Sequence, residues 1–196
     1  MNPKINFAYS LNYDKHWNLL LEEKFKPKGA KEKYDLFISN LRNVWTSEEE
    51  KILNLISKYS NLKWIDPEIK IYFVSALKVS GFSDPLTIKM NEDYLKIVET
   101  LIHELLHIIL VQNIMKIKPV MIELLKLFPK EEKRTRIHLL INFLSDKIFR
   151  EVFGEEEANR IKNISRKFIG LKRAYELLED EGNKSKIREL VYNIGK

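Results

Sequence analysis

The sequence predicts an α+β domain, predominantly helical, with a small mixed β-sheet packed on one apolar helix. Apolar residues recur at helical spacing through most of the chain, for example in residues 30–45 and 130–153. Two short stretches, 68–77 (EIKIYFVSAL) and 86–90 (LTIKM), instead alternate in the manner of strands. They lead into residues 91–112, NEDYLKIVETLIHELLHIILVQ, whose apolar residues point in most directions around the helical wheel, the pattern of a buried helix. With 196 residues and 44% hydrophobic content the chain suits one domain with a sizeable core. Helices within 11–60 and 155–196 flank a core at 67–153.

In order along the chain, residues 4–10 alternate Ile5, Phe7 and Tyr9 with smaller or polar residues and predict a short strand. Residues 14–25 predict a helix with Trp17, Leu20, Leu21 and Phe25 on its packing side, and His16 beside Trp17 reads as a surface or packing residue. The run KFKPKGAKEK is a basic connector containing Pro27 and Gly29. Tyr34, Phe37, Ile38 and Leu41 define a helix over 30–45. Thr46-Ser47-Glu48-Glu49 has the form of a capping box and predicts a second helix to about Tyr59.

Residues 81–85 predict a turn between the two later strands. Residues 86–90 are the expected sheet edge, able to hold an extended peptide through main-chain hydrogen bonds. In the helix that follows, Asn91 is the expected N-cap, with Glu92 and Asp93 in the first turn where the helix dipole favours acids. Residues 116–119 predict a helix break ahead of a short apolar helix at 120–128. Residues 130–153 predict a long helix closed by Gly154, then 155–181 a helix interrupted at Gly170, and 183–194 a last short one.

The buried helix carries a contradiction. Lys96, Glu99, Thr100, His103, Glu104 and His107 fall into one polar stripe roughly 140° wide at about 100° per residue. Buried polar groups need partners. Within the stripe, His103-Glu104-Leu105-Leu106-His107 is an H-E-x-x-H pattern. Residues four apart are neighbours on one helix side, so both imidazoles can reach two corners of one zinc tetrahedron, and Glu104 projects beside the ion as a general base. Two ordinary core histidines would leave that alignment unexplained.

At these residues the chain resembles the zincin metallopeptidases, and in particular a compact gluzincin-like member, over about residues 67–153. The resemblance implies a zinc-dependent peptidase acting on a peptide or protein substrate, with Zn2+ as its one cofactor. Zincins commonly draw a third ligand from a second helix. In residues 130–153, His138, Asn142 and Ser145 align at spacings of four and three, with thirty residues between His107 and His138, a separation that permits an antiparallel return. Asn142-Phe143-Leu144-Ser145-Asp146 resembles the thermolysin-like N-E-x-x-S-D end but lacks its glutamate. Imidazole is a far better ligand than a carboxamide. His138 is therefore the expected third ligand, with Asp146 and Glu151 its rivals, and Asn142 or Glu99 the group expected to orient a ligating ring.

No oxyanion donor stands out, and Tyr175, Tyr192 and the arginines remain unranked. In some compact zincins a terminal segment covers the cleft, so residues 183–194 read either as such a cover or, more simply, as packing.

Zero cysteines exclude disulfides, thiolate zinc sites and a cysteine nucleophile. The N-terminus MNPKINFAYS has no apolar core of a signal peptide, and no stretch is long enough to cross a bilayer, so the expectation is a soluble cytoplasmic protein with no membrane partner. The net charge of +6 comes from 34 basic and 28 acidic residues, mostly interspersed, which predicts a mixed solvated surface rather than a nucleic-acid interface. Repeats are absent and the oligomeric state is not encoded visibly. The alternatives to a peptidase are a zincin-shaped metal-holding or basic binding module without turnover, and an interaction protein with no metal.

Overall fold

The computed structural model describes residues 1–24 and 26–194, with Ile169 by its backbone alone. The fold is α+β, as expected. The elements are β1 (Lys4–Ala8), α1 (Leu11–Leu20), α2 (Ala30–Trp45), α3 (Glu49–Ser60), β2 (Glu68–Val74), β3 (Gly81–Ser83), β4 (Leu86–Lys89), α4 (Tyr94–Gln112), α5 (Ile114–Leu127), α6 (Lys133–Phe153), α7 (Glu155–Ser165), α8 (Ile169–Glu179) and α9 (Glu181–Tyr192). The sheet has the order β1-β2-β4-β3, parallel except for the antiparallel β3–β4 pair.

That order corrects the expected edge. β4 lies inside the sheet between β2 and β3, with Leu86, Thr87 and Ile88 buried, while residues 81–83, expected as part of a turn, form one edge strand and β1 the other. Gly81 makes this edge possible. A Cβ there would lie 2.7 Å from Ile88 Cδ1, 2.9 Å from the Thr87 carbonyl oxygen and 3.2 Å from Thr100 Cγ2, so only glycine lets β3 sit this close to both β4 and α4.

α4 is the centre of the packing. Val98, Leu101, Ile102, Leu105, Leu106 and Ile109 are fully buried, and the helix lies between the sheet, α2, α3 and α6. Its N-cap is Asp93, whose carboxylate accepts from the Lys96 amide, rather than Asn91, whose side chain accepts from the Asp93 amide. α6 returns antiparallel to α4: Glu99 faces Ser145 and Phe149 across a small cavity, whereas His103 and His107 face His138.

Several local readings are corrected by tertiary partners. α1 starts at Leu11 on a Ser10 cap and ends at Leu20, and Phe25 lies outside the described residues. Leu20 is exposed, and the buried side of α1 is polar. Asp14 accepts from the amide and hydroxyl of Ser75, each at 2.7 Å, and Asn18 donates to the Ser75 hydroxyl at 2.8 Å, docking α1 onto the end of β2. The capping box does not form, because the Trp45 indole donates to Glu49 and α3 starts with no side-chain cap. The break after α4 comes at Asn113, where the chain bends by 105°, and the exposed Pro119 is accommodated inside α5. Gly170 lies in the first turn of α8, after an interruption at residues 166–168.

Among the described residues no single helix is long and apolar enough to cross a membrane.

Candidate metal centre

His103, Glu104 and His107 sit mid-helix on α4, and His138 stands one turn into α6 opposite them. The three rings form a nearly equilateral set, with centroids 5.1 Å (His103–His107), 5.2 Å (His103–His138) and 5.1 Å (His107–His138) apart. One ring nitrogen from each lies within 4.8 Å of the other two. Tetrahedral zinc with bonds of 2.0 to 2.1 Å needs these nitrogens about 3.3 Å apart, so the rings must close by on the order of 1 Å, a side-chain adjustment.

The donor chemistry fits such an ion. His138 Nδ1 lies 2.7 Å from the Arg134 carbonyl oxygen, a bond that fixes the proton on Nδ1 and leaves Nε2 as a lone-pair donor. His103 Nδ1 is buried with no hydrogen-bond partner in the protein. Burial is the main influence holding all three imidazoles below their usual pKa: His103 well below, with help from His107 and His138; His107 down to about 4; His138 lowered against the opposing pull of its bond to Arg134. At neutral pH the rings are therefore uncharged, the form that binds metal.

Glu104 is 7% exposed. Burial, reinforced by the nearby Glu99 charge, pushes its carboxyl up to about 8, while Arg134 and Lys96 pull the other way. A cation held by the imidazoles would reverse that balance and ionise it.

The expected rivals and helpers lie elsewhere. Asp146 accepts two hydrogen bonds from Arg150 at 2.8 and 3.0 Å, and Glu151 accepts from the Tyr59 hydroxyl. Glu99 orients no imidazole. It is paired with Lys96, and the Ser165 hydroxyl accepts from Lys96 at 2.7 Å and donates to Glu99 at 3.3 Å. Asn142, one turn beyond His138, is fully buried and neither its amide nor its carbonyl has a partner, so it also supports no ring. Lys96 and Glu99 are 8% and 7% exposed. Because removing one partner strands the other charge in the core, Lys96→Met is expected to cost about 3–5 kcal/mol, read as a lower urea midpoint. A loss within about 0.5 kcal/mol would show that Glu99 reaches water.

A cleft of about 1120 Å³ opens over His103, Glu104 and His138. Its walls are residues 78–82, which run into β3, the turn and first residues of α6, and Lys167, Phe168, Gly170, Leu171 and Arg173 around the start of α8. Tyr175 does not line it. That phenol is buried beneath, bonded to Ser165, and burial drives its pKa well above the usual value. Tyr192 lines a separate cavity with Lys58 and Phe143. α9 packs on α3, α5, α6 and α8, and none of its residues lines the cleft, so the terminal segment is packing.

The arginine that sequence reasoning left unranked is Arg134. It lines the cleft, and its charge acts on His103, Glu104 and His107 as well as on His138. A Cβ at Gly170 would collide with its guanidinium, so glycine at the start of α8 leaves room for that group. The spacing of Arg134 four residues before His138 was the available signal. Comparison with protein-family models, with curated proteins and with solved structures finds no match to this chain, which leaves three convergent imidazoles and the carboxyl beside them as the ground for a functional reading.

Proposed function

We propose that this chain is a zinc-dependent metallopeptidase of the zincin type. The observation that carries the reading is the convergence of His103, His107 and His138 within 4.8 Å, with His103 and His138 lining a cleft that Glu104 also lines. The three histidines hold the metal, and no fourth His, Cys, Asp or Glu joins the group among the described residues. Held there, a zinc ion would supply a Lewis acid able to activate a water and polarise a carbonyl.

The protein's own groups do the rest. β3, paired only with β4, holds the substrate as an extended strand along the cleft. Glu104 takes a proton from the attacking water as the water oxygen bonds to the scissile carbonyl carbon. It then delivers that proton to the amide nitrogen as the C–N bond breaks. The carboxylate is regenerated and one water is consumed per bond.

Arg134 is the donor to the negative charge that develops on the carbonyl oxygen. Losing one such donor typically costs about 10²–10³ in rate, so Arg134→Lys is expected to lower kcat by about 10²-fold with KM changed far less. Steady-state kinetics on one peptide checks this, and an unchanged kcat removes Arg134 from the reaction. The reading as a whole is tested by comparing cleavage of a mixed peptide library by the zinc-loaded protein, the chelated protein and Glu104→Gln. It fails if all three cleave alike or none cleaves.

A further inference from the structure

The charges around the cleft do not cancel. Six cations line it: Lys78, Lys96, Lys130, Arg134, Lys167 and Arg173. Against them stand Glu99, Glu104, Glu131 and Glu132. Glu99 neutralises Lys96, and Glu131 is bound by Arg173 at 2.6 Å. Four cations are left, six minus the two that are paired, facing only Glu104 and Glu132. Among the described residues Lys78, Lys130, Lys167 and Arg134 form no ion pair, although ion pairs are common elsewhere on this surface.

Their placement matters as much as their number. Lys78 stands on the β2–β3 connection beside the edge strand, Lys130 just ahead of α6 and Arg134 in its first turn, and Lys167 on the α7–α8 connection. Positive charge thus flanks the histidines on three separate walls. A divalent ion on the imidazoles would add to the same sign. A cleft lined this way raises the local concentration of anions and speeds their arrival.

Building on the hydrolytic reading above, we infer that the substrate is an acidic polypeptide segment, with Asp or Glu side chains on both sides of the bond that is cut. An extended peptide along β3 sends alternate side chains to opposite sides. Carboxylates on one side of the scissile bond meet Lys78, and those further along meet Lys130 and Lys167. Polypeptide is favoured over nucleic acid because the cleft offers an unpaired strand edge to a main chain.

The experiment uses three quenched fluorescent peptides of one length, sharing the same central residues and flanked by Glu, Gln or Lys. They are cleaved by the zinc-loaded protein at low and at moderate salt. Their binding to zinc-loaded Glu104→Gln is followed by anisotropy, with a single-stranded oligonucleotide of matched charge alongside. Exposed charge pairs are individually weak, and several acting together are expected to favour the Glu peptide over the Gln peptide by about tenfold in both kcat/KM and Kd, with the preference shrinking as salt rises. The triple variant Lys78→Glu, Lys130→Glu, Lys167→Glu, with its zinc affinity checked as a sign of an intact fold, should reverse the ranking of the Glu and Lys peptides.

Cleavage of all three peptides at equal rates overturns the acidic preference and leaves the peptidase standing. Selective binding of the Glu peptide with no cleavage of any peptide supports the anionic ligand class and removes the peptidase. Tighter binding of the oligonucleotide than of the Glu peptide overturns the polypeptide assignment.

Discussion

Replacing Glu104 with Gln is expected to lower peptide cleavage by about 10²–10⁴-fold while zinc remains bound, the range by which a positioned general base accelerates a reaction. Glutamine matches glutamate in size but cannot take a proton. The three imidazoles lose none of their own groups, so metal content measured by atomic absorption should match that of the natural sequence. A second readout separates this role from simple packing. Burial holds the Glu104 carboxyl protonated, with its pKa up to about 8, and His107 neutral, with its pKa down to about 4. At pH 7, above the lowered pKa of all three rings, the imidazoles therefore have few protons to give up when zinc arrives, whereas Glu104 still holds most of one. Titration calorimetry in buffers of different ionisation heat should detect about one proton released per zinc for the natural sequence and close to none for Glu104→Gln. Release of the same number from both would show that Glu104 does not sense the ion.

Adding zinc should raise the melting temperature by about 8–16 °C when its free concentration is a thousandfold above Kd. Mass action then stabilises the folded state by about 4 kcal/mol, and about 2–4 °C follows per kcal/mol in a chain of this size. His138→Ala should lose most of that shift, because two imidazoles on one helix cannot hold the ion as three can. The comparison is between shifts with and without zinc, since the substitution also empties a buried position and lowers the metal-free melting temperature. His16→Ala, on the exposed side of α1, should keep the full shift. A shift of equal size in the His138 variant would remove His138 from the site, and no shift in the natural sequence would remove the metal.

The features legible in advance were those set by neighbours along the chain. Helical spacing marked α2 with its observed bounds, and Gly154, at φ +87°, marked the end of α6. The four-residue step from His103 to His107 put two rings on one helix side whatever surrounds them. Readings failed where a distant partner competes with a local one. Glu49 has a cap to make three residues away but is held by the indole of Trp45. Leu20 has the hydrophobicity of a packing residue, yet α1 is docked by Asp14 and Asn18 because Ser75 offers an unpaired amide and hydroxyl at the end of β2. Glu99 points from the same stripe as the histidines, and Lys96, one turn earlier on the same helix, captures it with Ser165 of α7.

By itself, then, the sequence determined an α+β chain with two imidazoles and a carboxyl side by side on one buried helix, since helical periodicity depends on the local backbone alone. Tertiary structure decided that His138, and neither Asp146 nor Glu151, approaches those rings. It also decided that residues 81–83 rather than 86–90 form the sheet edge beside the cleft, and that Arg134 overlooks the cleft. Each of these depends on which segments pack together, and packing answers to long-range partners that spacing along the chain does not encode.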